Sequence, residues 1–160
     1  MSKRTTDNDL KILLELQRDA DQSLEQIAEK VGISANTCWR RARYLKDDTA
    51  YIDKKVTLVN PDPFGFGLTV FLKIKSGTHA KDWAAKFLAV VDTIPEIVEL
   101  YLLTGEFNYH LKILVRSMQE YHRVYEMLSS QIDISDMTAT FAMKRVKYST
   151  EIPFERFIRS

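Results

Sequence analysis

Apolar residues recur at helical spacing in three consecutive stretches near the start of the chain. The first stretch, Asp7 to Arg18, follows a candidate capping residue, which is Thr6 or Asp7 itself. We expect the buried face of this helix to contain four apolar residues: Leu10, Ile12, Leu13 and Leu14. The second stretch begins after Ser23 and turns a similar set of residues inward: Leu24, Ile27, Ala28 and Val31.

A turn and a third helix follow the second stretch directly. Gly32 is suited to end one helix, and Ser34 is suited to cap the next. The third stretch, Ser34 to Leu45, has one apolar side, formed by Cys38, Ala42 and Leu45. A helix, a glycine-containing turn and a capped basic helix form the helix-turn-helix pattern, whose second helix enters the major groove of DNA.

The opposite side of the third helix carries groups suited to reading bases. Asn36, Arg40 and Arg43 share an outward stripe, and Trp39 lies beside it. An arginine can donate two parallel hydrogen bonds to guanine, and an asparagine can pair at two atoms with adenine. These four residues are therefore candidates for direct contact with a DNA duplex.

Three further residues of this helix are candidates for DNA binding. The hydroxyls of Ser34 and Thr37 lie at the helix N-terminus, where short donors commonly bind phosphate. Arg41 projects toward the edge of the apolar side, which indicates either a phosphate contact or a structural role. A basic helix face alone is more often only a solvated surface. The preceding helix, turn and cap are what favour DNA binding here.

The second half of the chain has a different pattern, in which short β-rich runs alternate with amphipathic helices. The predicted order is strand, helix, strand, strand, helix, strand, which is the order of a ferredoxin-like domain. The predicted elements are Leu68–Lys75, Ala80–Val91, Ile97–Thr104, Phe107–Val115, Met118–Ser130 and Thr138–Val146. The fold class is therefore α+β, with an N-terminal winged helix-turn-helix joined to a C-terminal βαββαβ domain.

Turn residues concentrated over Asn60–Gly67 indicate the boundary between the two domains. We expect a DNA-binding domain over residues 1–50 and a ferredoxin-like domain over residues 68–160. Residues 51–67 would connect them. Within this connection, Tyr51–Leu58 has a partly alternating, strand-like pattern, suited to a wing beside DNA or to pairing with a second copy of the chain.

Charge and composition limit how such a protein binds DNA. The chain has 160 residues and a net charge of +1, and residues 1–55 carry eleven Lys and Arg against ten Asp and Glu. Because non-specific affinity depends on how many phosphates are neutralised, one copy of this chain is expected to bind weakly. A homodimer or a larger even-numbered oligomer would present several recognition helices to one DNA.

Other kinds of site are not indicated by the sequence. His79, His110 and His122 lack the spacing of metal ligands, so we expect no metal and no cofactor. The single cysteine, Cys38, is predicted to be a buried thiol, as expected in a reducing cytoplasm. We identify no signal peptide and no run long enough to span a membrane, and the expected location is cytoplasmic.

Motifs throughout the chain resemble the Lrp/AsnC (leucine-responsive, feast/famine) family of transcription regulators. In the first half they are Asp9-Leu-Lys-Ile-Leu13, Leu24-x-x-Ile-Ala28, Val31-Gly-Ile-Ser34, Asn36-Thr-Cys-Trp-Arg-Arg41 and Leu45. In the second half they are His79-x-x-x-Trp83-x-x-x-Phe87, Pro95-Glu-Ile-Val-Glu-Leu-Tyr101, Thr104-Gly-Glu-x-Asn-Tyr109 and Phe141-Ala-Met-Lys-Arg-Val-Lys147. The resemblance implies a sequence-specific DNA-binding regulator of amino-acid-related genes, which is not an enzyme.

The resemblance also implies a small effector, an amino acid in many members, bound where second domains of two dimers meet. The implied effector residues are Thr78, His79, Tyr101, Thr104, Gly105, Glu106 and Asn108. Gly105 lets a backbone approach a ligand closely, and Glu106 could hold an ammonium group with help from the Asn108 carbonyl. The neighbouring Leu102 and Leu103 favour an apolar amino acid.

Two alternative functions remain open on the sequence. The protein could be an oligomeric DNA-binding protein without an effector. It could also be an enzyme, because tetrapyrrole (siroheme-type) decarboxylases resemble this architecture, including its helix-turn-helix half. The intact outward stripe of Asn36, Arg40 and Arg43 argues against the enzyme.

Overall fold

The computed structural model describes residues 5–47, 51–77 and 81–158. The chain packs as two units. One unit is Met1–Leu58 together with Lys147–Ser160, and the other is Val59–Val146. Residues 48–50, just before the predicted connection over residues 51–67, lie outside the described residues.

The first unit contains α1 (Asp7–Arg18), α2 (Leu24–Val31) and α3 (Ala35–Asp47). Thr6 and Asp9 form a capping box at the start of α1, in which each side chain accepts a hydrogen bond from the other residue's backbone N–H. Ser23 and Gln26 form the same arrangement at α2. Gly32 ends α2 with a φ of 76°, a left-handed conformation that favours glycine. Local sequence signals therefore fix the ends of these helices as predicted.

The core of the first unit lies where the three helices meet. Its buried apolar residues are Ile12, Ile27, Ala28, Val31, Cys38 and Leu45. The inward faces predicted for α2 and α3 are confirmed. The prediction for α1 was partly wrong. Ile12 is fully buried and the half-buried Leu13 packs against this core, whereas the half-buried Leu10 and Leu14 do not belong to it.

The second unit contains β1 (Leu68–Ser76), α4 (Lys81–Val91), β2 (Ile97–Leu102), β3 (Tyr109–Val115), α5 (Met118–Gln131) and β4 (Ile134–Phe141). The strands form one sheet in the order β2-β3-β1-β4, with every neighbouring pair antiparallel. This is the predicted ferredoxin-like arrangement, in which the two central strands, β1 and β3, are not consecutive.

Alternate residues of the central strands form the core of the second unit. Val70, Leu72 and Ile74 from β1 are fully buried, and they pack with residues of β3, α4 and α5. On α4, the ring of Trp83 stacks on Phe87 with 4.9 Å between centroids. The Trp83 indole N–H donates to the backbone carbonyl of Asp133, at an N–O distance of 2.5 Å. The helices therefore cover one face of the sheet.

The last strand begins four residues and ends five residues earlier than predicted. The prediction was Thr138–Val146, whereas β4 is Ile134–Phe141. A register shift at Lys75 and Ser76 of β1 lets Ile134 and Met137 both face the core, although they are three positions apart. The alternation of apolar and polar residues could not reveal this register shift, because the shift is set by the pairing of β4 with the distant strand β1.

The strand predicted over Tyr51–Leu58 is also absent from the described residues. Val56 and Leu58 are more than half exposed there. Among the described residues, the backbone of this segment is not paired in the sheet.

The revised position of β4 predicts a difference between two adjacent side chains. Met137→Ala should lower the free energy of unfolding by about 1–2 kcal/mol, because Met137 packs against the core. Asp136→Ala, on the exposed face, should change it by less than about 0.5 kcal/mol. Urea denaturation of both variants measures this. Equal effects would contradict the observed register.

Candidate DNA-binding surface and hairpin site

The outward face of α3 is open to solvent. Asn36 and Arg40 are exposed, and neither forms a hydrogen bond or ion pair within the described part of the chain. Directly behind them, Cys38 and Leu45 are fully buried. The helix therefore presents an amide and a guanidinium to solvent on a face held in place by the core.

The start of α3 is organised by its cap. The Ser34 hydroxyl oxygen accepts a hydrogen bond from the Thr37 backbone N–H at 3.2 Å and lies 2.8 Å from the Thr37 hydroxyl oxygen. Both hydroxyl groups thus lie at the helix N-terminus, where the unsatisfied N–H groups of the first turn favour an anion.

Trp39 and Arg43 form a pair at the edge of the outward face. Trp39 is 50% exposed, and the Arg43 guanidinium carbon lies 5.5 Å from its ring centroid. Arg43 also lies 3.4 Å from a carboxylate oxygen of Asp47, one turn later. Such exposed pairs contribute little stability and are readily exchanged, so Arg43 is free to reorient toward a stronger anion.

Arg41 has a different position from Arg40 and Arg43. Its Nε donates to Asp9 Oδ1 at 2.6 Å, and one terminal nitrogen donates to Asp9 Oδ2. Asp9 is fully buried, and the Arg41 side chain is 22% exposed. Of the two roles predicted for Arg41, the geometry favours the structural one, because its guanidinium binds α1.

The Asp9 carboxylate is stabilised in its charged form despite burial. Burial alone would raise its pKa, but hydrogen bonds from Arg41 and Thr6 outweigh that cost and lower the pKa below its usual range. The same carboxylate accepts from the Thr6 backbone N–H at 2.8 Å and from the Thr6 hydroxyl at 2.7 Å. One side chain therefore caps α1 and fixes α3 against it.

Asp9 is the first residue of the family motif Asp9-Leu-Lys-Ile-Leu13, but the sequence pattern assigns it no buried role. An aspartate between Asn8 and Leu10 looks like a surface residue of a helix. Two signals could have found it: the Thr6-x-x-Asp9 capping spacing, and an arginine at the edge of the apolar side of α3 that needs an acidic partner.

The hairpin between β2 and β3 contains most of the predicted effector residues. Thr104, Gly105 and Glu106 are exposed, and Gly105 has a φ of 132°. Glu106 lies 3.7 Å from the Lys75 ammonium nitrogen. Leu102 is 75% exposed, which leaves an apolar side chain beside this polar turn. Thr78 and His79 lie outside the described residues.

Asn108 and Tyr101 are already bonded within the chain. The Asn108 side-chain oxygen accepts from the Ser76 backbone N–H at 2.9 Å and from the Ser76 hydroxyl at 3.0 Å. The suggested help from this carbonyl in holding an ammonium is therefore not supported, because both its lone pairs are used to tie the hairpin to β1. The Tyr101 hydroxyl donates to Glu99, which raises the pKa of Tyr101.

Cys38 and His110 both pack inside their own unit. Cys38 is buried, and burial raises the pKa of its thiol, with the nearby charge of Glu25 adding to the effect. The His110 ring packs against Phe71, with 5.5 Å between the ring centroids.

Across the described ranges, no three His, Cys, Asp or Glu side chains are arranged to hold a metal ion. None of the helices described has the length and apolar character to cross a membrane.

Comparison with known proteins identifies both units. Residues 6–46 match the AsnC-type helix-turn-helix domain, and residues 69–152 match the Lrp/AsnC ligand binding domain. The glutamate uptake regulatory protein of Zymomonas mobilis is 42% identical over 153 residues, covering 96% of this chain and 93% of its own length.

Solved structures agree over nearly the whole chain. An AsnC family transcriptional regulator from Agrobacterium tumefaciens has 35% identity and a TM-score of 0.87, covering 93% of this chain and 97% of its own. A transcriptional regulator from Neisseria meningitidis, crystallised as a complex with L-Met, has 29% identity and a TM-score of 0.89. The match covers 96% of this chain and 99% of the Neisseria chain.

The fold, the capped basic helix and these matches define a two-domain DNA-binding transcriptional regulator. This class of protein acts by binding DNA rather than by catalysing a reaction. The chain belongs to the Lrp/AsnC family.

The contact between Asp9 and Arg41 predicts a pH-dependent loss of stability. Asp9→Asn should lower the free energy of unfolding at pH 7 by about 2–3 kcal/mol, because it leaves Arg41 without its buried charge partner. Since the folded pKa of Asp9 is lowered, this stabilisation is present above the ordinary carboxyl pKa of about 4 and is lost as the pH falls through the folded value.

Denaturation of wild type and Asp9→Asn between pH 7 and pH 2 measures this effect. The difference in the free energy of unfolding between the two proteins should become smaller at the acidic end of this range. Asp53→Asn, at an exposed position, is the matched control and should match wild type throughout. A difference that stayed constant with pH would contradict the role of the Asp9 charge.

Proposed function

We propose that this regulator reads its operator with the outward face of α3, and that Asn36, Arg40 and Arg43 contact base edges. The observation that carries the proposal is the contrast within one helix. Arg40 is exposed and without a partner among the described residues, whereas Arg41, one position later, is bonded to Asp9. The free donors therefore point away from the core of the unit.

The remaining residues of the face have supporting roles in this proposal. Ser34 and Thr37 donate to phosphate at the helix N-terminus, and Trp39 packs along the sugar-phosphate backbone. Arg41 does not contact bases but holds α3 at the angle that its neighbours need. Such a division is expected, because phosphate contacts fix orientation and base contacts supply sequence information.

We further propose that the protein acts as a homodimer or a larger even-numbered oligomer. The net charge of +1 leaves a single chain with little non-specific affinity for DNA. Exposed apolar side chains on the connecting segment, Val56, Leu58 and Val59, offer surface that one chain does not bury. Two recognition helices on one operator would compensate by avidity, with half-sites about one helical turn apart. Function on DNA and a single buried cysteine are in keeping with a cytoplasmic location.

The base-reading role predicts a specific effect of Arg40→Ala. Affinity for a selected operator should fall by about 1–3 kcal/mol, because a bidentate contact to one base is lost in each half-site. Preference at that position should relax, whereas affinity for random DNA should fall much less. Fluorescence anisotropy with operator and scrambled duplexes measures both quantities.

Lys11→Ala removes one positive charge from α1 instead of α3 and serves as the control. It should change operator affinity little. If Arg40→Ala leaves operator affinity unchanged, or weakens operator and scrambled DNA equally, the assigned role is wrong.

For the effector, we propose a free amino acid bound at the β2–β3 hairpin, between subunits. Gly105 lacks a Cβ and has open space around it, so backbone N–H groups there can approach a carboxylate. Glu106 is largely exposed and can exchange its long contact with Lys75 for the ligand's ammonium. Leu102 and Leu103 supply apolar surface for the ligand side chain.

Two relatives guide the choice of ligand. The Neisseria regulator was crystallised with L-Met, and the Zymomonas relative is named for glutamate uptake. The exposed leucines of this hairpin favour methionine or another apolar amino acid over glutamate. A glutamate side chain would also meet Glu99 and Glu106 on the same hairpin, although Lys75 and Lys112 partly balance them.

A panel of all twenty amino acids is expected to distinguish an apolar effector from glutamate. An apolar amino acid should raise the melting temperature by mass action and shift the oligomer distribution measured by light scattering. Gly105→Asp, which adds negative charge at the turn, should abolish both responses. The positive φ of Gly105 makes any side chain strained there, so melting without ligand must be compared first.

Leu88→Ala, at an exposed apolar position on α4, is the control and should keep the response. A failure of all twenty amino acids to move either observable would contradict the amino-acid effector and favour a regulator without one. A mass of 18.6 kDa at all concentrations would contradict the proposed oligomer.

A further inference from the structure

The C-terminal segment of the chain returns to the helix-turn-helix unit. After β4 ends at Phe141, residues 147–160 pack as part of the first unit and not of the second. A short 3₁₀ turn, Glu155–Phe157, lies against α1. The polypeptide therefore passes between the two units twice, once near Leu58 and once near Lys147.

The side-chain amide of Gln17 forms two hydrogen bonds with the main chain of this segment. Its side-chain nitrogen donates to the Ile152 carbonyl at 3.1 Å, and its side-chain oxygen accepts from the Ile152 N–H at 3.0 Å. One side chain therefore binds both main-chain polar groups of Ile152, and the Ile152 carbonyl also accepts from the Phe154 N–H at 2.9 Å. The Ile152 side chain is 66% exposed, so the contact depends on the backbone and not on apolar burial.

Arg18 adds two charged contacts next to Gln17. Its Nε lies 3.5 Å from a carboxylate oxygen of Glu151, and a terminal nitrogen donates to Glu155. These groups are between 42% and 58% exposed, so each pair alone is weak. The two ion pairs act together with Gln17, because Glu151 precedes Ile152 in the sequence and Glu155 follows it.

We propose that residues 147–158 act as a second tether, clamped to α1 by Gln17 and Arg18, that restricts how freely the helix-turn-helix unit can reorient. A unit joined by one flexible connection can sample many orientations. Fixing a second connection to the same unit removes much of that freedom before DNA binds, which reduces the entropy lost on binding.

The restriction has a consequence for operators with two half-sites. When both helix-turn-helix units are clamped, the two recognition helices can bind both half-sites only if the half-site spacing matches the distance between the helices. Units released from the clamp can reach a wider range of spacings, but they lose affinity at the best one because their effective concentration there is lower. The tether therefore makes the regulator selective for half-site spacing. This inference rests on the proposed binding of paired half-sites.

The test uses the full-length protein and operator duplexes that wild type selects from a random library. Affinity is measured for the selected spacing and for duplexes in which the half-sites are moved apart by about five base pairs, half a helical turn. The ratio of the two affinities is the spacing selectivity. Melting temperatures confirm that each variant is folded.

Arg18→Glu should reduce the selectivity on the order of tenfold by releasing the clamp. Gln17→Ala, which changes no charge, should reduce it in the same direction. The exchange Arg18→Glu with Glu155→Arg keeps the net charge of wild type and should restore most of the selectivity. Lys11→Glu makes the same charge change as Arg18→Glu elsewhere on α1 and should leave the selectivity unchanged.

The outcomes separate the clamp from the proposed function. Wild type that shows spacing selectivity while Arg18→Glu and Gln17→Ala retain it in full would overturn the tether alone. Failure of the charge exchange to recover what Arg18→Glu loses would also overturn it. Wild type without any spacing selectivity would overturn paired half-site binding, and the tether with it.

Discussion

The buried ion pair between Asp9 and Arg41 is the contact on which the DNA-binding unit depends. A charged carboxylate without a partner in this core would be strongly destabilising. Here it receives hydrogen bonds from Arg41 and from Thr6, so one group stabilises the start of α1 and joins that helix to α3. The geometry of α3, and hence the direction of Arg40, depends on this pair.

The helical unit was largely predictable because its signals are local. Thr6, Ser23, Gly32 and Ser34 define helix ends through their own chemistry, and apolar spacing alone identifies the inward faces of α2 and α3. The order of elements in the second unit was predictable for the same reason. The motifs that resemble the Lrp/AsnC family added the function, which the family matches confirm.

Features that depend on distant pairing were not predictable. The position of β4 follows from a register shift opposite Lys75 in β1, and the role of Asn108 follows from its contact with Ser76. The burial of Asp9 was not predictable, because a buried charge is recognised only with its partner, 32 residues away. Sequence patterns report which face of an element is apolar, and they do not report which polar groups meet.

We propose that α3, held by Asp9 and Arg41, lies in the major groove of the operator. Cys38 is buried with a raised pKa, so a cysteine replacing the exposed Ala35 can be labelled selectively with a DNA-cleaving iron chelate. The most direct measurement is the cleavage pattern of the labelled protein on its operator. If α3 lies in the major groove, the cuts should be confined to the major groove of each half-site. Cuts in the minor groove, or outside the half-sites while the protein remains bound, would contradict it.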